Sequence, residues 1–185
     1  WQGGMAFHGG AVGVTLAMWA FSVWRKVSMH SISDVVTAAV PIGLFFGRTA
    51  NFINSEVVGT VSNVPWAMAF PGYGPEPRHP AMLYEAWLEG AVLFLILAWL
   101  IWKRGSLKMP GYTVGAFLLG YGVFRIFCEL FKIEEYRQPF EGIGITRGMI
   151  YSVPMVLLGA YLMWRAKRVA ARDGGASASA GTNAS

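Results

Sequence analysis

Four charged or amide residues stand at the end of one apolar run in this chain of 185 residues, within residues 47–59. Arg48 carries a planar fork of N–H donors that suits a phosphate or a carboxylate. Asn51 and Asn54 can bind hydroxyls or carbonyls, and Glu56 can orient the arginine or bind a polar head group. A simpler interpretation is a helix end whose arginine extends to the membrane interface and whose asparagines cap it. Because similar residues recur elsewhere in the chain, the cluster favours a binding site.

Two other segments carry the same types of residue. Tyr84 and Glu85 lie about one helical turn inside an apolar run, where a glutamate needs a partner such as an arginine from another helix. Tyr121, Arg125 and Glu129 recur at i, i+4 and i+8 and therefore share one helical face. A local Arg125–Glu129 ion pair has the less favourable order on a helix, so the spacing favours a binding face instead.

His8 lies between Phe7 and two glycines at the start of a further apolar run. A lone histidine at a helix start is often a hydrogen-bonded residue of the membrane interface. The adjacent glycines allow a substrate to approach closely, and histidine can act as a base near neutral pH. The residues alone therefore leave a structural and a catalytic role open for His8.

The composition indicates an integral membrane protein. Apolar residues make up 55% of the chain and charged residues 14%, which is less charge than a soluble domain of this length normally carries. The net charge of +5 comes from short basic clusters between apolar runs, which argues against nucleic acid as a partner. The single Cys128 lies in an apolar run, so neither a disulfide nor a thiolate metal site is expected.

Five apolar runs predict an all-α protein with about five transmembrane helices. The runs cover residues 9–24, 35–46, 81–102, 112–131 and 149–164. The second run follows a capping-box pattern at residues 31–34. Residues 1–172 are predicted to form the transmembrane domain, with an outer loop or small cap at about residues 54–79. The Ala-, Gly- and Ser-rich tail at residues 173–185 is predicted to be disordered.

Basic residues predict the orientation of these helices. They form three clusters: Arg25 and Lys26; Lys103, Arg104 and Lys108; and Arg165, Lys167, Arg168 and Arg172. With five spans the three clusters fall on one side, which the positive-inside rule makes cytoplasmic. The unusual polar residues then all fall on the opposite side. One site that faces the outer leaflet or the periplasm is therefore predicted.

Together these motifs resemble those of the prolipoprotein diacylglyceryl transferases, the membrane enzymes that start bacterial lipoprotein maturation. The resemblance is carried by residues 8–10, 47–59, 78–80, 84–85, 121–125 and 129, and it continues through residues 148 and 152–155. Family members have two further helices at the N-terminus, so the resemblance implies that this chain, which starts at Trp1, begins inside a longer protein. Two departures concern the outer loop between the fourth and fifth runs. Residues 131–137 do not keep the usual Arg-Glu-Pro-Asp pattern, and Met149 stands where the family often has Gln.

The resemblance implies a transferase that moves the diacylglyceryl group of phosphatidylglycerol to the lipobox cysteine of a preprolipoprotein signal peptide, without a metal or cofactor. It places the catalytic domain in the bilayer of the bacterial inner membrane, with its site facing the periplasm. The implied catalytic residues are His8, Arg48, Tyr121 and Arg125. The implied substrate-binding residues are Asn51, Asn54, Glu56, Gly59, His79, Tyr84, Glu85 and Glu129. His8 is the expected general base, although a tyrosine, a glutamate or direct ionisation of the thiol near the arginines remain alternatives.

Two other function classes would use similar residues. A transporter would spread its polar residues through the membrane depth and repeat broken helices, whereas this sequence clusters them at one end and shows no repeat. A non-catalytic protein that binds anionic lipids would share the charges but would not need His8.

Overall fold

The computed structural model describes residues 7–133 and 146–182, without the side chains of residues 7, 8, 147 and 173–182. Five helices account for most of this part of the chain, one for each predicted apolar run. They are α1 (Phe7–Arg25), α2 (Met29–Ile53), α3 (Ala81–Arg104), α4 (Tyr112–Glu129) and α5 (Arg147–Thr182). Within the described ranges the remaining regular pairing consists of isolated β-bridges, so the all-helical prediction is confirmed there.

Three of the described helices are long and apolar enough to cross a membrane by length and composition. They are α2, α3 and the segment Gly148–Arg172 of α5. Large apolar side chains point outward from the bundle, among them Trp19, Trp87 and Leu157, which are 60%, 61% and 66% exposed. Such a surface fits contact with lipid tails rather than with water. A multi-pass membrane protein follows, while the crossing by α1 and α4 remains a prediction.

Helix α3 changes its hydrogen-bonding pattern in the middle. A π-helical segment (Ala86–Val92) separates α-helical segments at Ala81–Glu85 and Leu93–Arg104. Gly90 lies in this segment and packs against α2 so closely that an added Cβ would stand 2.7 Å from the Cβ of Phe45. The contact therefore needs glycine, and it brings the C-terminal half of α2 against the wide turn of α3.

Helices α4 and α5 pack antiparallel through small residues. An added Cβ on Gly115 would stand 2.8 Å from the Gly159 carbonyl oxygen, and one on Gly122 would stand 2.7 Å from Val156. Close backbone approach of this kind is the usual basis of helix association in membranes, where the hydrophobic effect does not drive it. The pairing gives α4 a fixed partner along most of its length.

The start of α2 differs from the prediction. The helix begins at Met29, so the expected capping box at residues 31–34 lies inside it, and Ser28 makes no side-chain cap hydrogen bond. Asp34 is fully buried and instead accepts hydrogen bonds from the backbone N–H groups of Gly111 (2.7 Å) and Val114 (2.9 Å). Asp34 therefore caps the N-terminus of α4, 77 residues away, rather than that of its own helix.

The segment between α2 and α3 forms a compact cap over the end of the bundle. Antiparallel bridges join Val61 and Met68 to Arg78, and a third bridge joins Gly59 to Lys132. A small apolar core of Val58, Phe70 and Met82 lies beneath. The segment is thus folded onto α3 and the end of α4, although its position outside the membrane remains a prediction.

The basic clusters gather at the end of the bundle opposite the cap. Lys167 of α5 lies over the ring of Tyr112 at the start of α4, 5.7 Å from its centroid. Arg25 and Arg104 lie over the rings of Trp24 and Trp99, at 5.5 and 5.4 Å. Tryptophan and basic side chains at one level are typical of a membrane interface, so the structure has a basic end and a cap end.

Helix α5 continues to Thr182 and so includes most of the tail for which the composition predicts disorder. The tail contains several alanines, and alanine is the strongest helix former, which allows the backbone of α5 to continue. The division of the chain into a transmembrane domain and a tail remains a prediction.

Candidate active site

Three helices bring charged side chains together at the cap end of the bundle. Arg48 lies in the last turns of α2, Arg125 lies one turn before the end of α4, and Glu85 lies in the first turns of α3. Both arginines approach the same carboxylate. Arg48 Nε lies 3.0 Å from Glu85 Oε2, and Arg125 Nη1 donates a hydrogen bond to Glu85 Oε1.

Lys132 is the third cation of this group, and no motif or spacing in the sequence predicted it there. Its Nζ lies 2.6 Å from Glu85 Oε1 and 3.4 Å from Glu129 Oε2. The lysine follows α4 and reaches inward because the backbone at this point bridges to Gly59 of the cap. It occupies the segment where the sequence departs from the Arg-Glu-Pro-Asp pattern, and it supplies a positive charge there.

Two further carboxylates complete the cluster at longer range. Glu89 Oε2 lies 3.7 Å from Arg48 Nη2, and Glu89 Oε1 lies 3.8 Å from Arg125 Nη1. Glu129 Oε2 lies 3.8 Å from Arg125 Nη2. These distances are ion-pair contacts rather than hydrogen bonds. Three carboxylates therefore face three cations: Glu85, Glu89 and Glu129 face Arg48, Arg125 and Lys132.

Burial separates the members of this ionic cluster. The side chains of Glu85 and Glu89 are 0% exposed and that of Lys132 is 3% exposed, whereas those of Arg48 and Arg125 are 19% and 21% exposed. Buried charges persist only when they are paired, and the buried members here are the carboxylates and Lys132. The two guanidinium groups are the positive charges that a ligand can reach.

The structure bears out one expectation drawn from the sequence and corrects another. Glu85 was expected to need an arginine from another helix, and it pairs with Arg48 of α2 and Arg125 of α4. The Arg125–Glu129 pair was disfavoured by its order on the helix, yet it forms at 3.8 Å within a larger network. Order on an isolated helix matters little when the carboxylate also has Lys132 as a partner.

Gly148 at the start of α5 packs directly on the ionic cluster. An added Cβ would stand 2.7 Å from the Glu129 carboxylate. Met149 is half-buried in the same turn, and its backbone N–H donates to Thr146 Oγ1 at 3.2 Å, which caps α5. The Gln-to-Met departure therefore lies beside the cluster, one residue from its closest backbone contact.

Tyr121 lies one helical turn before Arg125 on the same face of α4. Its ring stacks on Phe117 with centroids 5.7 Å apart and packs against the apolar core of Leu93 and Leu97. The tyrosine is thus held by the apolar core on the face of α4 that also carries Arg125 of the ionic cluster.

The polar residues at the end of α2 lie apart from the ionic cluster. Asn51 is half-buried, whereas Asn54 and Glu56 are exposed, and no described residue hydrogen-bonds any of these three side chains. The glutamates that approach Arg48 are Glu85 and Glu89, so the predicted orientation of the arginine by Glu56 is absent from the described contacts. The backbone at Val57 has φ of 59°, a strained conformation for a β-branched residue.

Gly59 has a structural explanation in the fold. An added Cβ would stand 2.5 Å from the carbonyl oxygen of His79 and 2.7 Å from that of Phe131. The backbone N–H of Gly59 donates to the same His79 carbonyl at 3.0 Å. Glycine therefore allows the cap to meet both α3 and the end of α4, and this contact places Lys132. A direct contact of Gly59 with substrate remains a prediction.

His79 and Tyr84 form a second polar group at the edge of an apolar cavity. Trp66 Nε1 donates to the Tyr84 hydroxyl at 2.7 Å, and that hydroxyl lies 2.9 Å from His79 Nδ1. Since the indole can only donate, the group is satisfied when Tyr84 donates to His79. The adjoining open cavity has a volume of about 350 Å³ and is lined largely by aromatic side chains, with Trp87, Phe127 and Phe131 among them.

His8 lies in the first turn of α1, and its side chain lies outside the described residues. Gly10 follows it, and an added Cβ there would meet nothing within 4 Å. The open space beside Gly10 leaves room for another molecule or segment. The role of His8 remains a prediction. Among the described residues, no group of three His, Cys, Asp or Glu side chains is placed to hold a metal ion.

Comparison with known proteins matches this chain to one family. The sequence model of the prolipoprotein diacylglyceryl transferases matches residues 1–165. The chain is 54% identical over 179 residues to the phosphatidylglycerol–prolipoprotein diacylglyceryl transferase of Brucella ovis, and 52% identical over 174 residues to that of Brucella anthropi. Each match covers 94% of this chain, and the chain spans 62% of the length of each relative. With a match that includes every element of the ionic cluster, the chain belongs to the prolipoprotein diacylglyceryl transferase family.

Proposed function

We propose that this protein transfers the diacylglyceryl group of phosphatidylglycerol to the thiol of a lipobox cysteine in a preprolipoprotein. One observation carries the proposal. Two guanidinium groups from different helices meet at one buried carboxylate, and they are the accessible members of an otherwise buried cluster. A pair of fixed guanidinium forks is suited to a phosphate group at the head of a lipid. The names of the Brucella relatives point to the same lipid and the same class of acceptor.

The reaction exchanges one bond for another at a glyceryl carbon. The thiolate sulfur attacks the carbon that carries the phosphate ester and forms a thioether. The C–O bond to phosphate breaks, its electron pair goes to the phosphate oxygen, and glycerol phosphate leaves with one more negative charge. Arg48 and Arg125 supply donors where that charge develops, and the Tyr121 hydroxyl is a further donor. Glu85 holds both guanidinium groups in place before the substrate arrives.

The incoming thiol must lose its proton, because a thiol with a pKa of roughly 8.5 is mostly protonated at neutral pH. His8 is the proposed base, since it is a histidine at the predicted cap end of α1 and can accept a proton near neutral pH. A tyrosine, a glutamate, or ionisation of the thiol beside the arginines are the alternatives. In each case the thiol proton leaves the sulfur before or during the attack on carbon.

The proposed location is the bacterial inner membrane, with the cap and the ionic cluster on the periplasmic side. The three basic clusters lie at the other end of the bundle, which the positive-inside rule assigns to the cytoplasm. Both substrates are then available at one level. The lipid lies in the outer leaflet, and the lipobox cysteine lies at the end of a membrane-spanning signal peptide.

The test is a transfer reaction in membranes that carry the protein. Phosphatidylglycerol and a lipobox peptide are supplied, and mass spectrometry follows the peptide. Transfer adds the mass of a diacylglyceryl group, and the same peptide with serine in place of cysteine gains nothing. If the unaltered protein, with both arginines intact, binds the peptide but adds no mass to it, the protein is a lipid- or peptide-binding protein rather than a transferase.

A further inference from the structure

Glu89 is the member of the ionic cluster whose hydrogen-bonding capacity is unused. Its side chain is fully buried, and neither carboxylate oxygen has a hydrogen-bond partner. The nearest cations are Arg48, at 3.7 Å, and Arg125, at 3.8 Å. They balance the charge of Glu89 without donating a hydrogen bond to it. An unsatisfied buried carboxylate oxygen is costly, and such groups in a folded protein call for a specific explanation.

The fold directs this carboxylate toward the arginines. Glu89 lies in the π-helical segment of α3, one turn after Glu85, so that both carboxylates project to the same side of the helix. The adjacent Gly90 lets α2 approach closely enough for Arg48 to reach both. Lys132 pairs with Glu85 and Glu129. Segments of π-helix recur at functional sites, and this one places an acceptor beside two phosphate-binding donors.

The ligand that would satisfy Glu89 has a recognisable chemistry. A hydroxyl group can donate to the carboxylate without adding charge. An ammonium group would sit against two guanidinium cations, because each Glu89 oxygen already faces an arginine. A ligand with a phosphate for Arg48 and Arg125 and a hydroxyl for Glu89, a few bonds apart, therefore fits both positions. A lipid whose phosphate is esterified to a glycerol head group has this arrangement.

We propose that Glu89 accepts a hydrogen bond from a hydroxyl of the glycerol head group and so selects phosphatidylglycerol among anionic lipids. The inference rests on the proposed function and deepens it, since it assigns head-group specificity to a residue outside the set of predicted site residues. Glu89 is a specificity residue of the lipid site, whereas Glu85 positions the arginines.

The experiment compares phosphatidylglycerol with phosphatidylmethanol, which has the same phosphate charge and no head-group hydroxyl. Binding of each lipid to the detergent-purified protein is measured by native mass spectrometry, alongside transfer to a lipobox peptide. A hydrogen bond to a charged group predicts that the unaltered protein favours phosphatidylglycerol by about ten- to one hundredfold. Glu89→Gln should remove most of that preference, and the lipid that loses affinity should be phosphatidylglycerol.

Glu76→Gln is the matched control, because Glu76 lies in the cap with a side chain that is 64% exposed. It should keep the full preference. Glu89→Asp keeps the charge but shortens the side chain, and it should retain part of the preference for phosphatidylglycerol. This variant provides the test if the Glu89→Gln protein does not fold.

Three outcomes would overturn the assignment. The first is that the unaltered protein binds both lipids equally. The second is that Glu89→Gln weakens the binding of both lipids by the same factor. The third is that Glu89→Asp keeps the full preference for phosphatidylglycerol. The second result would make Glu89 a counter-ion of the arginines only. Absence of transfer with either lipid would instead count against the proposed function, and the binding ratio would still decide the role of Glu89.

Discussion

Replacing Arg48 by alanine should remove most of the transfer activity and leave the fold in place. The side chain pairs with Glu85 at 3.0 Å and approaches Glu89 at 3.7 Å. After the change Glu85 keeps Arg125 and Lys132 as partners. An uncompensated buried charge costs about 3–5 kcal/mol. Because two cations remain on Glu85, we expect the free energy of unfolding to fall by less, about 1–3 kcal/mol.

The effect on the rate should exceed the effect on stability. In the proposed reaction Arg48 donates to a phosphate oxygen whose charge grows as the C–O bond breaks, and loss of one preorganised donor costs about 10²–10³ in kcat. Arg48→Lys should recover only a small part of this loss, since lysine keeps the charge but not the planar fork that spans a carboxylate and a phosphate. The assay is the initial rate of mass gain by the lipobox peptide, with the melting temperature of each variant measured in detergent.

Arg104→Ala is the matched control for Arg48→Ala. Arg104 is exposed at the basic end of the bundle, where it lies over Trp99 at 5.4 Å from the ring centroid. This variant should transfer at the unaltered rate. Equal transfer rates for the two folded variants would refute the assignment of Arg48. Failure of Arg48→Ala to fold would refute the argument that Arg125 and Lys132 suffice to compensate Glu85.

Three further predictions address the cap, the orientation and the base. Gly59→Ala should lower the free energy of unfolding by about 1–3 kcal/mol through overpacking, because the added Cβ would stand 2.5 Å from the His79 carbonyl oxygen. Gly43→Ala is the control, since an added Cβ there has open space and should not lower the free energy of unfolding. Equal melting temperatures for the two variants would contradict this. A cysteine at the exposed Asn63, with Cys128 replaced by serine, should react with an impermeant thiol reagent on intact cells. A cysteine at the exposed Lys108 in the same background should react only after the membrane is opened. The reverse pattern would invert the proposed orientation. His8→Gln should lower the transfer rate more than lipid binding, and alkaline pH should partly restore the rate as the thiol ionises unaided. Equal losses of binding and rate without that recovery would assign His8 to the head group or the structure.

The hydrophobic pattern was sufficient to predict that these helices exist. It was less informative about where each helix begins and ends. The run at residues 81–102 agrees with α3 (Ala81–Arg104) within two residues. The run at residues 35–46 covers only half of α2 (Met29–Ile53). Asp34 is the reason at one end, since a carboxylate before an apolar run resembles a local cap. At the other end, Arg48 lies beyond the apolar run but still within the helix, and its ion-pair partners Glu85 and Glu89 lie on α3.

The convergence of polar residues at one end of the bundle was predictable, because antiparallel helices of similar length return to the same level. The partner of each charge was not. Lys132 follows the helical pattern of α4 and has no periodic relation to Glu85, 47 residues earlier. Its inward position depends on the bridge from Gly59 to Lys132, and bridges between irregular segments leave no periodic signal. Nor could a sequence pattern show the π-helical segment, in which Gly90 packs closely against Phe45 of α2.

The distances within the ionic cluster separate the contacts that hold the site from those that a substrate can exchange. The three shortest cation contacts all meet at Glu85: Arg48 Nε at 3.0 Å, Lys132 Nζ at 2.6 Å and the hydrogen bond from Arg125. The contacts of both arginines with Glu89, and that of Arg125 with Glu129, are longer, at 3.7–3.8 Å. A phosphate can therefore take donors from the outer N–H groups of each guanidinium while Glu85 keeps them oriented. The three carboxylates and three cations of the cluster carry equal formal charges, so an anionic lipid in the proposed site would add one negative charge beside Glu89. A hydrogen bond from a head-group hydroxyl to Glu89 would offset part of that repulsion, so the proposed site should favour an anionic lipid with a hydroxyl in its head group.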